Sequence, residues 1–351
     1  MKKRLCAGGL SLALLLSGCS GMLERSYARV TPHSHTLSSI QTGSALEAQT
    51  YQQLVSAILY LVTHHREDGI IRLYNYTGDP EDDVARACLE VLQKDPLGAF
   101  AVEQIKQDVS RIVSFYEAEV DITYLRTAEE MARITSVTGS SAIKQALRDT
   151  ISRLDNRQLL RISYFSGDET YLTNLIRQAY YDTPLGAFGT PEVQLSFYPE
   201  SGIQRIVEVD LTYPIEQETL LLRQQELAAA ADLLLGSLST KTPETLYEQL
   251  RRNTDFGPGG TAYDALIGGQ ANGEGFALAY KLLCDRAGLT CTVVQGSGER
   301  PFWNIVTTSS GSRHVDCAAG LFGYTDHQLE QIGKYVWSGS YPLCRDGSEL
   351  N

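Results

Sequence analysis

Two hydrophobic periods alternate along the chain, and the places where the period changes mark its elements. From residue 45 to 63, Leu54, Ile58 and Leu61 recur at three- and four-residue spacing, which predicts a helix. From 204 to 213 the period is two. Ile206, Glu208, Asp210 and Thr212 share one face and Val207, Val209, Leu211 and Tyr213 the other, so the segment reads as a strand with one buried and one wet face. The run 193–198 joins it through Pro199-Glu-Ser-Gly202 as a hairpin. Helical patterns fall at 82–94, around 128–154, and at 169–181, 216–238, 243–253 and 278–287. Strand-like runs occupy 291–296, 301–306 and 313–316.

One pattern occurs twice. Ile71-Arg-Leu-Tyr-Asn-Tyr-Thr-Gly-Asp79 matches Leu160-Arg-Ile-Ser-Tyr-Phe-Ser-Gly-Asp168, and Asp95-Pro-Leu-Gly-Ala-Phe100 matches Thr183-Pro-Leu-Gly-Ala-Phe188. Tyr116–Tyr124 matches Arg205–Tyr213 through Glu-Val-Asp followed by Ile-Thr-Tyr or Leu-Thr-Tyr. The offset is 89 residues from Arg72 to Arg161 and 88 from Pro96 to Pro184, and so nearly constant a period predicts a duplicated unit. Each copy reads β-α-β-β with a helix before it. Asp79 and Asp168 are placed to cap the helix that follows, and Pro-Leu-Gly-Ala-Phe reads as a turn. Tyr74, Tyr76, Tyr164, Tyr180 and Tyr181 could line a groove for peptide or glycan, but at strand and helix spacing they read first as half-buried packing residues.

Composition narrows the class. The 351 residues are 43% hydrophobic and 21% charged, which is globular and long enough for two or three domains. A formal charge of −12 disfavours nucleic acid and anionic lipid as partners, since both need clustered Lys and Arg. The first residues stand apart. Met1-Lys-Lys-Arg4 is basic, 8–16 is an apolar run too short to span a bilayer, and Leu16-Ser-Gly-Cys19 ends it. This arrangement resembles a bacterial lipoprotein signal. The resemblance implies cleavage before Cys19, a diacylglyceryl group on its thiol, and a chain held by lipid to the extracytoplasmic face of a cell membrane. Residues 20–42 are polar and aperiodic and read as a tether, with His33 and His35 in solvated linker. Beyond Cys6 and Cys19 the cysteines are Cys88, Cys284, Cys291, Cys317 and Cys344. Cys284 with Cys291, or Cys317 with Cys344, could pair outside the cytoplasm, though connectivity is not readable. No Cys/His spacing suggests a metal, and no cofactor motif occurs.

The segment 243–325 carries the remaining chemistry. It runs through Thr254-Asp-Phe256, Thr261-Ala-Tyr-Asp-Ala-Leu266, Gly273-Glu-Gly-Phe-Ala277, Leu282–Gly288, Val293-Val-Gln-Gly296, Pro301-Phe-Trp-Asn304 and Val315-Asp316. In order and spacing it resembles the core of the transglutaminase-like superfamily, a papain-related fold. That family's chemistry needs a Cys thiolate at a helix start, a His that carries protons, and an Asp that orients the His. Here Gly273 stands at the Cys position and Pro301 at the His position, and only Asp316 matches. Glu274 and His314 are the remaining polar groups close in sequence. His314, two residues before Asp316, shares a strand face with it, so Glu274, His314 and Asp316 could form a polar cluster.

The reading is an α+β chain: signal peptide 1–18, tether 19–42, repeats 43–135 and 136–238, and a transglutaminase-like domain 239–351. The resemblance, with nucleophile and base lost, implies a binding or scaffolding module for a peptide or cell-wall component. The alternative is an active acyltransferase or cysteine-peptidase-type hydrolase with a non-standard site.

Overall fold

The computed structural model describes residues 45–165 and 167–345. The expected signal peptide, Cys19, and the tether with His33 and His35 lie outside the described residues. No helix among the described residues is long and apolar enough to cross a membrane.

The described chain opens with a strand, β1 (Ala45–Ala48), where periodicity predicted helix. Helix α1 (Tyr51–Thr63) starts only after Thr50, whose hydroxyl accepts the Gln53 N–H at 3.3 Å. β1 pairs in parallel with β2 (Asp68–Leu73), setting Leu46 beside Ile71. This pairing with a distant partner overrides the helical spacing upstream of the cap. Next come α2 (Pro80–Lys94), α3 (Pro96–Ala101), β3 (Val102–Ile112) and β4 (Phe115–Tyr124). Asp79 caps α2 as its position implied, accepting the Glu81 and Asp82 N–H groups. The strands order as β1-β2-β4-β3.

A short helix, α4 (Ala128–Ala132), leads to β5 (Thr135–Val137), α5 (Gly139–Ser152), β6 (Arg157–Ile162) and α6 (Glu169–Asp182). A 3-10 turn at Pro184–Gly186, then β7 (Glu192–Tyr198) and β8 (Arg205–Thr212), complete a second sheet, ordered β5-β6-β8-β7. Both sheets thus have the same order and the same β-α-β-α-β-β connection, one outer parallel strand more than the predicted β-α-β-β. The expected linking helices are α4, plus an α5 that belongs to the second sheet itself. Pro-Leu-Gly-Ala-Phe is not a simple turn. It forms α3 in the first unit and the 3-10 turn in the second. Its glycine allows close backbone approach in both. A Cβ on Gly98 would lie 2.1 Å from the Val91 carbonyl oxygen, and one on Gly186 would lie 2.3 Å from that of Ile151.

The face of β8 expected to be wet is largely covered. Ile206 is fully buried and Glu208 nearly so, because the first unit packs on that side. Phe100 meets Tyr198 edge to face at 5.4 Å, and Arg126 reaches Glu208 at 2.7 Å. Period-two alternation marks the two faces of a strand but not what lies over each.

The C-terminal part runs α7 (Gln217–Gly236), α8 (Pro243–Asn253), β9 (Asp255–Phe256), α9 (Ala262–Leu266), β10 (Gln270–Ala271) and α10 (Gly273–Arg286). An antiparallel sheet follows: β11 (Thr290–Gln295), β12 (Phe302–Thr308), β13 (Gly311–Asp316) and β14 (Leu321–Tyr324), then α11 (Asp326–Ile332). The architecture is α+β. One core runs from Val137 through α10 to Cys317, joining the second unit to the C-terminal part. A small separate core gathers Trp303, Leu329, Tyr335 and Cys344. The five described cysteines are free and buried. Cys317 and Cys344 lie in different cores, so they do not form the pair considered above.

Gly98→Ala tests the close approach in the first unit. Alanine gains about 0.5–1 kcal/mol of helical preference, whereas forcing a methyl against a carbonyl costs about 1–3 kcal/mol. The clash therefore wins. The urea midpoint falls while the slope of the transition stays unchanged; an unchanged midpoint would show that α2 and α3 shift apart at no cost.

Candidate functional site

Helix α10 organises the site. Every residue from Gly275 to Cys284 is buried, and all but Tyr280 and Lys281 are apolar or small. The polar groups it carries are provided for. Lys281 Nζ donates to both Asp285 carboxylate oxygens at 2.9 Å and to the Cys291 carbonyl at 3.1 Å. The Tyr280 hydroxyl donates to the Pro243 carbonyl at 2.9 Å, and Asn304 Nδ2 to the Ala277 carbonyl at 2.9 Å. The C-terminal stop is Gly288 at φ +74°, as its position implied. The start lies earlier than expected, at Gly273 rather than residue 278. Asn272 supplies the cap, its Oδ1 accepting the Glu274 N–H at 2.9 Å and the Gly275 N–H at 3.1 Å.

The two glycines of Gly273-Glu-Gly275 differ in kind. A Cβ on Gly275 would lie 2.8 Å from the Gly259 carbonyl oxygen and 2.9 Å from the Ala271 methyl, so packing forbids a side chain there. A Cβ on Gly273 would meet only the Phe302 carbonyl oxygen, at an ordinary 3.5 Å. The backbone at 273 has room for a cysteine and carries none.

Gly273 opens onto a cleft of about 460 Å³, within the range of small-molecule and peptide sites. Pro301 and Asp316 line the same cleft, so the entry to β12, the end of β13 and the start of α10 bring together the three positions that the resemblance aligned with a triad. Asn272, Glu274 and Phe302 form further wall, and the exposed Phe256 stands at the rim. Arg300, Glu299 and Lys334 complete it. No cysteine, serine, threonine or histidine is among these lining residues.

Asp316 is buried and fully engaged. Its Oδ1 accepts the Ala319 N–H at 2.9 Å and its Oδ2 the Tyr335 hydroxyl at 2.7 Å. Burial and this bond to a carboxylate push the Tyr335 hydroxyl well above its ordinary range, so it stays a donor. Glu274 Oε1 accepts the Tyr181 hydroxyl at 2.7 Å, and the Tyr181 ring lies 5.5 Å from that of Phe302. Burial raises the Glu274 carboxyl, and the bond from Tyr181 opposes the rise. A tyrosine of the second unit thus holds a side chain of the cleft.

His314 is not part of the site. It shares a strand with Asp316, but no hydrogen bond joins them, and the expected Glu274–His314–Asp316 cluster does not form. Trp303 Nε1 donates to His314 Nδ1 at 2.9 Å, and His314 Nε2 meets Asp326 Oδ1 at 2.8 Å. Asp326 Oδ2 accepts the Cys344 N–H at 3.0 Å, tying the end of the described chain to α11. These better-placed partners occupy both ring nitrogens. His314, Asp326 and Cys344 do bring one potential ligand atom each to within 4.8 Å of one another. The proton positions argue against a cation. An indole N–H can only donate, so Nδ1 accepts, and the neutral ring carries its proton on Nε2, facing Asp326. No lone pair is left for a metal, and burial pushes the Cys344 thiol up to about 12. The cluster is a hydrogen-bonded pin. Cys88, Cys291 and Cys317 offer no thiolate either: burial pushes Cys88 up to about 12 and Cys291 and Cys317 well above the ordinary thiol range.

Sequence reasoning overlooked Arg300 and Tyr335 and weighted Tyr181 towards packing. Arg300 is signalled by its place directly before Pro301. The other two meet the site only through tertiary packing.

No family model matches the chain, and no curated protein does. Solved structures similar to it include the following two. One is a TGase, at 12% identity and a TM-score of 0.26 over 53% of this chain. The other is a candidate protease from Parabacteroides distasonis, at 9% identity and a TM-score of 0.21 over 71% of this chain. The matched regions span 55% and 39% of those two chains, so this chain covers about half their length or less. Both likenesses are weak.

The His314 pin predicts a pH dependence. Burial lowers the His314 pKa below 6.5 despite the pull of Asp326. As pH falls, the unfolded chain takes up this proton first, so the neutral-His contribution to stability is lost from about that value downwards. Urea midpoints measured at about pH 7.5 and about pH 5 should therefore drop more in the wild type than in His314→Gln. Equal drops would show that His314 does not titrate with unfolding.

Proposed function

We propose that this chain is a lipid-anchored protein of a bacterial cell surface whose C-terminal part has a transglutaminase-like frame. It binds a peptide or cell-wall component in the Gly273–Pro301–Asp316 cleft without cutting it. The single observation that carries this reading is the lining of the cleft. The three triad-equivalent positions share one cavity of about 460 Å³, and none of its lining residues offers a thiol, hydroxyl or imidazole to start acyl transfer. Glycine has no nucleophile and proline moves no proton. Asp316 spends both oxygens on Ala319 and Tyr335, which suits holding the cleft's shape. We read the two units with equal strand order, together with the near-constant offset between them, as a duplication that buttresses this cleft through Tyr181. The lipid anchor rests on residues 1–19.

Two experiments test this reading. A glutamine-containing peptide, incubated with the full chain and a fluorescent amine, should leave with neither amine incorporated nor any bond cut. Turnover abolished by Asp316→Ala would overturn the non-catalytic reading. The alignment behind it is tested by restoring the missing groups. Gly273→Cys with Pro301→His should react with iodoacetamide at neutral pH several-fold faster than Gly273→Cys alone, since an imidazole at that position favours the thiolate. Equal rates would remove the assignment of these positions. For the anchor, Cys19→Ser should move the protein from the membrane fraction to the soluble fraction, and unchanged partitioning would refute lipidation at Cys19.

A further inference from the structure

The loop between β11 and β12 is held more firmly than its length suggests. Gly296 N–H donates to the Pro301 carbonyl at 2.7 Å, closing the loop on itself. Ser297 N–H donates to Val336 and Arg300 N–H to Lys334, at 2.9 and 3.2 Å. A Cβ on Gly296 would lie 2.5 Å from the Val336 carbonyl oxygen, and one on Gly298 would lie 2.3 Å from that of Lys334. Both glycines thus let the loop press against 334–336. The backbone that presents Arg300 to the cleft is fixed in advance, which lowers the cost of binding through its side chain.

The charges around the cleft are unevenly satisfied. Lys334 Nζ pairs with Glu299 Oε2 at 3.3 Å on the exposed rim. Asp316 has both oxygens bonded, and Glu274 has Oε1 bonded to Tyr181. Arg300 is half-buried, and among the described residues its guanidinium forms no ion pair or hydrogen bond. A guanidinium in a partly dry cleft is a bidentate anion receptor awaiting an oxyanion. The other lining groups say which oxyanion. Three carboxylates, Glu274, Glu299 and Asp316, stand against two cations, Arg300 and Lys334. A phosphate dianion would be repelled by that excess, whereas a carboxylate on a ligand that also carries an ammonium group is not. Glu274, through its second oxygen, is the acceptor left for that ammonium or for an amide N–H.

We infer that the cleft recognises a peptide by its free terminal carboxylate, with Arg300 as the anion-binding residue and Glu274 taking a cationic or N–H group of the same ligand. The inference rests on the binding reading above and adds the chemistry of the ligand. Arg300 then sets specificity: it separates a peptide acid from the same peptide amide, because only the acid offers two oxygens to the planar fork.

Calorimetric titration of the purified full chain tests this with alanyl-lysyl-alanine and its C-terminal amide. The acid should bind at least tenfold more tightly than the amide. Arg300→Ala should weaken the acid to the level of the amide, and Arg300→Lys should retain part of the preference. Glu274→Gln should weaken both peptides alike. A thermal melt equal to wild type confirms that each variant is folded. Equal binding of acid and amide by wild type, or a preference intact in Arg300→Ala, would overturn the carboxylate assignment while leaving the cleft a binding site. Inorganic phosphate displacing the acid at lower concentration than acetate does would overturn it in favour of a phosphate ligand. Failure of wild type to bind either peptide would remove both the inference and the binding reading beneath it.

Discussion

Helix α10 is buried on all sides from Gly275 to Cys284, with Lys281 its one charged residue there, so it must be covered on all sides. Burying a large apolar side chain stabilises by about 1.5–3 kcal/mol, and Phe276, Leu278, Tyr280, Leu282 and Leu283 each require that burial. The sheet β11–β14 alone cannot supply it, since a sheet covers one side of a helix. The rest comes from α7, α8, α9 and the second unit, which is why one core crosses from Val137 to Cys317. What remains uncovered is the first turn of α10, where Gly259 presses on Gly275 and Asn272 spends its side chain on capping. The cleft is the gap left at that turn.

The residues that support the fold and the cleft positions that the proposed reading matches to a triad are separate. The groups that hold α10 in place are Gly275, Asn272, Asn304 and the apolar residues of the helix. Under the proposed reading a reaction would sit at Gly273 and Pro301, and neither bears a packing load: a Cβ on Gly273 would meet only the Phe302 carbonyl oxygen, at 3.5 Å, and Pro301 is exposed. A change of side chain at either position therefore costs the fold little. Asp316 differs, because its two hydrogen bonds tie β13 to Tyr335 and Ala319.

Much of this was legible in the sequence, and the rest fails for identifiable reasons. The Asp79 cap, the Gly288 stop and the strands from 291 to 316 all rest on local pattern, and local pattern is what a sequence carries. β1 and β5 are strands of four and three residues that exist only through parallel pairing with β2 and β6, which no period of their own announces. The covered face of β8 looked wet because Glu208, Asp210 and Thr212 are polar, yet Arg126 reaches Glu208 from 82 residues away. His314 was assigned to the site by strand alternation. Alternation gave the face correctly but not the partners, since Trp303 and Asp326 claim the ring first. Tyr181 meets Glu274 across 93 residues of chain, a contact that only the docking of the second unit creates.

The account turns on a cleft that holds a peptide and leaves it whole. The most direct measurement is a crystal structure of the full chain grown with a lysine-containing peptide bearing a free carboxylate. The account predicts an intact peptide between Arg300 and Glu274, with no covalent bond to the protein. A cut or protein-linked peptide, or a peptide seated away from the Gly273–Pro301–Asp316 cleft, would contradict it.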